Sequence, residues 1–300
     1  MDGLPTQGGL AGRAGRDSAP GQVRSARLTL STCGAMPSKG VTPLIDAPPT
    51  APGPKPTAVP DAGIGLDGVT RTYRTGRGQV PALDGVTLQV APGEVCAVVG
   101  PSGCGKSTLL ELVCGLQAPD AGTVHAGPAA LMFQRDLLLP WRTALDNAAL
   151  PLRIAGVGAV AAREQARPLF AELGLAGFEQ ARPRELSGGM RQRVAFVRTL
   201  LAGRPVLALD EPFAALDALT RAEAQSWLSG ALGREPRTVL LVTHDVEEAA
   251  VLGDRVVVLS PRPGRVVADI AVPVPRPRHR TDPGIVGVRE QALGALGAGA

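Results

Sequence analysis

Aromatic side chains are scarce in this 300-residue chain, which has five Phe, two Trp and one Tyr, or 3%. Nucleic-acid readers stack bases on aromatics set among blocks of Lys and Arg. Neither feature is present, and the net charge of +4 rests on scattered arginines, so nucleic acid is not an expected partner. The four cysteines (Cys33, Cys96, Cys104 and Cys114) show no C-x2-C spacing and no neighbouring His pair. That argues against a zinc site and for a reducing compartment. No apolar run reaches the ~18–20 residues that cross a bilayer, and the N-terminus lacks the apolar stretch of a signal peptide. A soluble, cytoplasmic protein is the expectation.

Lysine is nearly missing as well. After Lys55 the only one is Lys106, and it sits in Gly100-Pro-Ser-Gly-Cys-Gly-Lys-Ser107, followed by Thr108. This stretch fits Gly-x4-Gly-Lys-Ser, a glycine-rich turn whose backbone N–H groups cradle phosphates. Its flanks agree with that reading. Residues 94–99 read as a buried strand and residues 107–114 as an apolar-faced helix. Phosphates at a helix start meet unpaired N–H groups and a favourable dipole. A compact ammonium reaching between β- and γ-phosphates is not replaced by a planar guanidinium. Gly100, Pro101, Ser102, Gly103, Cys104, Gly105, Lys106, Ser107 and Thr108 are therefore the candidate nucleotide loop.

Residues 1 to about 62 are dominated by Gly, Pro, Ala, Ser and Thr. Such a stretch buries too little apolar surface to offset chain entropy, so it reads as a disordered tail. The alternative is a start misplaced upstream of Met36. Order begins near Ile64, with strands over 65–73 and 82–90. Tyr73 is either a packed surface aromatic or a face for a base to stack on. Short strands follow at 123–125 and 129–133, with Gln134 ending the second. The oily run Leu137-Leu-Leu-Pro-Trp141 is either core or a docking surface, and a charge at Leu138 is the test. Residues 144–151 and 159–173 read as helices, the second interrupted or kinked by Pro168.

Leu186-Ser-Gly-Gly-Met-Arg-Gln-Arg193 opens another helix with Ser187 as N-cap, a second anion-type helix mouth with Gly188 and Gly189. Residues 204–211 form a buried strand ending in Asp210 and Glu211, paired acids suited to a cation and a water beside phosphates. Their alternation gives them different jobs. Asp217 precedes a helix over 218–232. A buried strand at 238–244 ends in His244, and residues 255–259 and 265–270 read as a closing hairpin. The Pro/Arg-rich end after 273 runs into a flexible Gly/Ala tail at 279–300.

Strands alternating with helices, each buried strand ending in polar residues, describe an α/β P-loop fold. LSGGMRQR narrows it, because the segment resembles the signature of ATP-binding-cassette (ABC) transporter ATPases. Tyr73 matches the family's adenine-stacking position and Gln134 its Q-loop. Val206–Glu211 matches Walker B, Ala215-Leu-Asp217 the D-loop and His244 the switch histidine. The resemblance covers about residues 65–272. It implies a domain over 63–278 with a RecA-like core, an antiparallel β subdomain and a helical subdomain at about 135–202. LLLPWRTALDNAALPL, DEPFAALDALTR and VVVLSPRPGRVV look like ATPases of nitrate, sulfonate and taurine importers. Two departures are Ala214, often glycine, and Phe196-Val-Arg-Thr199 in place of a small-aliphatic pattern.

The resemblance further implies ATP and Mg²⁺ as cofactors and a head-to-tail homodimer. It implies docking on integral membrane permease subunits at the inner face of the cell membrane, served indirectly by an extracytoplasmic solute-binding protein. By the same resemblance, Lys106 would hold phosphates. Ser107, Gln134 and Asp210 would surround Mg²⁺, Glu211 would orient the attacking water, and His244 would contact the γ-phosphate. Ser187, Gly188 and Gly189 would reach the γ-phosphate of the ATP bound by the second copy, and Asp217 of the D-loop is a further nucleotide-binding candidate. A soluble ABC ATPase with no transport role is the rival reading.

Overall fold

The computed structural model describes residues 62–298 apart from Arg77 and Glu235. The stretch read as a disordered tail lies outside the described residues up to residue 61, as does Cys33. The chain opens with β1 (Ile64–Thr75), β2 (Gly78–Val90), β3 (Val95–Val99), α1 (Lys106–Val113), β4 (Ala121–Ala126) and β5 (Ala129–Met132). A helical stretch follows: α2 (Ala144–Ala148), α3 (Leu150–Ile154), α4 (Ala159–Glu172) and α5 (Gly188–Leu200). Then come β6 (Val206–Asp210), α6 (Ala218–Arg234), β7 (Thr238–Thr243), α7 (Val246–Leu252), β8 (Arg255–Leu259), β9 (Val266–Ala271) and α8 (Pro283–Ala298).

Two sheets result. One is antiparallel, in the order β2-β1-β4; the other runs β5-β6-β7-β3-β8-β9. The second sheet is parallel except for β9, which returns antiparallel along β8. Composition explains the difference. Every residue of β3 (VCAVV), β6 (VLALD) and β7 (TVLLVT) is buried, as expected for central parallel strands covered on both faces. Strand β2 instead alternates exposed and buried positions from Gly85 to Val90. Because β6, β7 and β3 are neighbours, their carboxyl ends bring Asp210, Thr243 and the loop at Gly100 to one edge of the sheet, where open α/β sheets bind ligands.

Several elements depart from the sequence reading. The helix expected over 144–151 is two short ones, α2 and α3, with Pro151 in the first turn of α3, where its missing N–H costs nothing. Helix α4 runs on through Pro168. The expected flexible tail at 279–300 is a correction, because α8 occupies 283–298 and packs against α7, β8 and β9. Ile285, Val288 and Ala292 lie one helical turn or two apart and are buried; a surrounding run of Gly and Ala disguises that stripe. Leu138 is also core. It is 9% exposed, whereas Leu137 and Trp141 are 52% and 69% exposed.

Candidate active site

The P-loop leaves β3 and turns into α1 through Gly105, whose φ of 106° lies in the left-handed region. A Cβ there would meet the Ala82 carbonyl oxygen at 2.6 Å, so only glycine fits. Lys106 is 7% exposed, and its ammonium donates to the carbonyls of Gly100 (2.7 Å) and Pro101 (3.0 Å). Cys104 turns inward, 1% exposed, and burial pushes its thiol pKa up. The loop borders a cleft of about 280 Å³ lined by Tyr73, Val80, Ala82, Ser102, Gly103, Gly105, Lys106, Ser107, Thr108, Gln134, Asp210, Glu211 and Arg262. Ten of the sequence-derived candidates thus share one cleft, drawn from residues 73 to 211 and from both sheets.

Two carboxylates close the far side. Asp210 ends β6 and is 8% exposed. Burial raises its pKa, with the Glu211 charge adding to the rise and the Ser107 hydroxyl and Lys106 opposing it. Glu211 takes φ 47°, a left-handed conformation that is costly for a non-glycine residue and is concentrated at functional sites. Its N–H is held by the Val242 carbonyl at 2.8 Å. Its two carboxylate oxygens have separate partners: Gln134 Nε2 donates to Oε2 (3.0 Å), and His244 Nδ1 lies 3.1 Å from Oε1. Gln134, Glu211 and His244 come from three strand ends and meet at one carboxyl group. With Nδ1 committed, the other histidine nitrogen points away from the carboxylate.

A family model described as ABC transporter matches residues 83–214. The aliphatic sulfonates import ATP-binding protein SsuB 1 of Rhodococcus jostii is 46% identical over 241 residues, covering 78% of this chain and 93% of that protein. The taurine import ATP-binding protein TauB of Chromobacterium violaceum is 44% identical over 230 residues, covering 71% of this chain and 88% of that protein. This chain belongs to the ABC transporter ATPases. Among solved structures, the dimeric post-hydrolysis state of the ATP-binding cassette MJ0796, bound to ADP and Pi, has a TM-score of 0.65 at 30% identity. It covers 72% of this chain and 99% of that one.

The remaining ABC ATPase motifs lie elsewhere in the subunit. Ser187 caps α5, its Oγ accepting from Met190 N at 3.2 Å. Asp217 caps α6, with Oδ1 accepting from Leu219 N and Thr220 N at 3.1 Å each; the Thr220 hydrogen bonds hold its pKa down. A Cβ on Gly189 would sit 3.1 Å from Leu216 Cδ2 and 3.6 Å from the Ala215 carbonyl oxygen. The signature therefore touches the D-loop of its own subunit, and neither borders the P-loop cleft.

The loop after Gln134 is tied to α5. Arg198 donates to the carbonyls of Asp136 (2.6 Å) and Leu137 (2.9 Å), and Arg191 pairs with the Asp136 carboxylate (3.0 Å). Buried Asn147 braces the same loop through Leu139 N at 2.7 Å and the carbonyls of Leu139 and Thr143. Leu137 itself has φ 44°, which turns an apolar side chain outward at a backbone cost.

Sequence reasoning missed Arg262. It stands in the β8–β9 turn, yet its Nε donates to the Gly103 carbonyl at 2.9 Å, and no local pattern marks it. A larger cavity, about 650 Å³, lies between α6, α7 and residues 276–281. It contains Glu248, whose carboxyl burial pushes up to about 7, but no glycine-rich anion loop.

Proposed function

We propose that this ABC ATPase energises uptake of a small aliphatic sulfonate, taurine or nitrate through separate membrane subunits. On this reading two copies close head to tail, so that the P-loop of one and the signature of the other share each ATP. Lys106 and the amides of residues 100–105 hold the β- and γ-phosphates, Thr108 bonds oxygens further down the tail, and adenine stacks on Tyr73. Ser187, Gly188, Gly189 and Asp217 serve the ATP of the second copy. The absence of these four from the cleft supports that division of labour.

Mg²⁺ fits the donors at hand. Ser107, Asp210 and Gln134 offer hard oxygens, and Asp210 is a buried carboxylate short of positive charge. Among the described residues no three His, Cys, Asp or Glu side chains form a metal cage. This suits an ion bound through one or two carboxylates and the phosphates themselves. Bound there, it supplies positive charge beside the phosphate oxygens. Glu211 accepts a hydrogen bond from the attacking water, and His244 contacts the γ-phosphate and fixes that water. Catalysis is then positioning and charge stabilisation of a loose phosphoryl transition state.

The observation that carries the reading is the Glu211 carboxylate held between Gln134 and His244 at the mouth of the P-loop cleft. The transported class comes from the relatives named for sulfonate and taurine import, which also disfavour a soluble role. No helix among the described residues is long and apolar enough to cross a membrane, which supports docking on permease subunits at the cytoplasmic face. Exposed Leu137 and Trp141 are the contact we assign, in place of Leu138. The test is reconstitution with a permease encoded beside it and its solute-binding protein. ATPase stimulation by taurine, an alkanesulfonate or nitrate is expected; stimulation by none of them would sink the transport assignment.

A further inference from the structure

Tyr73 does more than present a flat ring to the cleft. Its hydroxyl lies 3.2 Å from Thr108 Oγ1 and accepts from Gln117 Nε2 at 2.9 Å. The orientation of the Gln117 amide is set by its surroundings. Oε1 accepts from Arg71 Nε at 3.1 Å, and Nε2 also donates to the Glu111 carboxylate. Flipping the amide would set its oxygen against the carboxylate and its nitrogen against the guanidinium. Arg71 is itself fixed, its Nη1 2.8 Å from Asp120 Oδ1 and its guanidinium carbon 5.2 Å from the centre of the Tyr73 ring. One face of the ring is thus backed by a cation, while Tyr73 also borders the cleft.

These bonds have a direction. Gln117 fills one acceptor site of the Tyr73 oxygen. A phosphate oxygen beside Thr108 can only accept, so the Thr108 hydroxyl donates to it, and the Tyr73 hydroxyl then donates to Thr108 Oγ1. We propose that Gln117 and the Tyr73 hydroxyl are positioning groups for ATP. Together they form a hydrogen-bond chain from Arg71 to Thr108 that aims the Thr108 hydroxyl at the phosphates and couples the base-stacking residue to phosphate binding. This rests on the reading above that Tyr73 meets adenine and Thr108 meets phosphate, and it adds residues and a coupling that reading lacks.

The test uses the full chain and two probes, a fluorescent ATP analogue and inorganic tripolyphosphate, which has no base to stack. Tyr73→Phe keeps the ring and removes one oxygen atom. It should weaken both probes by about three- to tenfold, the usual worth of one hydrogen bond, raising KM for ATP with kcat unchanged at saturation. Gln117→Leu should do the same in the wild-type background and nothing further in the Tyr73→Phe background. Unchanged tripolyphosphate affinity in Tyr73→Phe would overturn the chain, and so would losses that multiply in the double variant. Tyr73→Ala separates the two ideas. If it weakens ATP while Tyr73→Phe does not, stacking stands and the chain fails; if ATP affinity survives even Tyr73→Ala, the stacking reading itself falls.

Discussion

Two helices in this molecule start at glycines, and they begin differently. Helix α1 starts after Gly105, with no side chain capping it, so the loop's N–H groups remain for a ligand. It carries its own counter-charge in Lys106. Helix α5 starts after Ser187, whose hydroxyl already accepts one of the helix's N–H groups. The arginine of its first turns, Arg191, is turned back onto the Leu186 carbonyl and the Asp136 carboxylate. On the proposed reading, one helix mouth holds a polyphosphate by itself. The other has fewer donors and no free cation, which suits it to adding contacts to a nucleotide held elsewhere.

The largest effect should come from Lys106→Ala. It removes two or more charge-assisted hydrogen bonds of about 1.5–3 kcal/mol each. Affinity for a fluorescent ATP analogue should fall at least about 100-fold, in single subunits as well as dimers. Retained binding would make the two helix mouths equivalent and break the contrast. Next comes Glu211→Gln, which leaves every α1 contact in place. ATP affinity should hold while phosphate release falls about 100-fold or more, leaving a closed ATP-bound dimer detectable by size-exclusion chromatography. Near-normal release would remove Glu211 from its role.

A smaller effect belongs to the exposed loop tied to α5. Leu137→Asp with Trp141→Ala should leave ATP affinity and basal turnover unchanged and abolish stimulation by the permease in vesicles. The loop reaches α5 through Arg191 and Arg198, so intact stimulation would cut the proposed route. Leu138→Asp is the control that fails differently. It puts a charge into the core and should cost stability of several kcal/mol before it touches coupling.

How much of this was legible from sequence follows from how local each signal is. The P-loop, the signature and the acids ending β6 are contiguous motifs, and the all-buried strands announce themselves as unbroken apolar runs. The Ser187 cap is readable because a cap acts within three residues. Gln117 and Arg262 were not readable. Their meaning arises only when β1 pairs with β2 beside α1 and when the β8–β9 turn folds back onto Gly103, across 159 residues of chain. The sequence leaves Leu138 open between core and docking surface, because three successive leucines look alike until Asn147 and α5 decide which one points inward. Helix α8 was hidden by composition, since Gly and Ala dilute a stripe of only three buried side chains.

The smallest effect is the sharpest test of the two helix starts. Ser187→Ala removes a cap worth about 1 kcal/mol, a drop of about 2–4 °C in Tm for a domain of this size. On the proposed reading it also removes a hydroxyl offered to the other subunit's ATP. The single subunit should bind the ATP analogue as before while dimer turnover falls. Ser187→Asp then parts the two jobs of that side chain. A carboxylate caps a helix as well as a hydroxyl does and complements the dipole, so Tm should recover. Its charge would oppose a γ-phosphate, so turnover should not recover. If Asp restores both, Ser187 is only a cap, and α5 faces no phosphate.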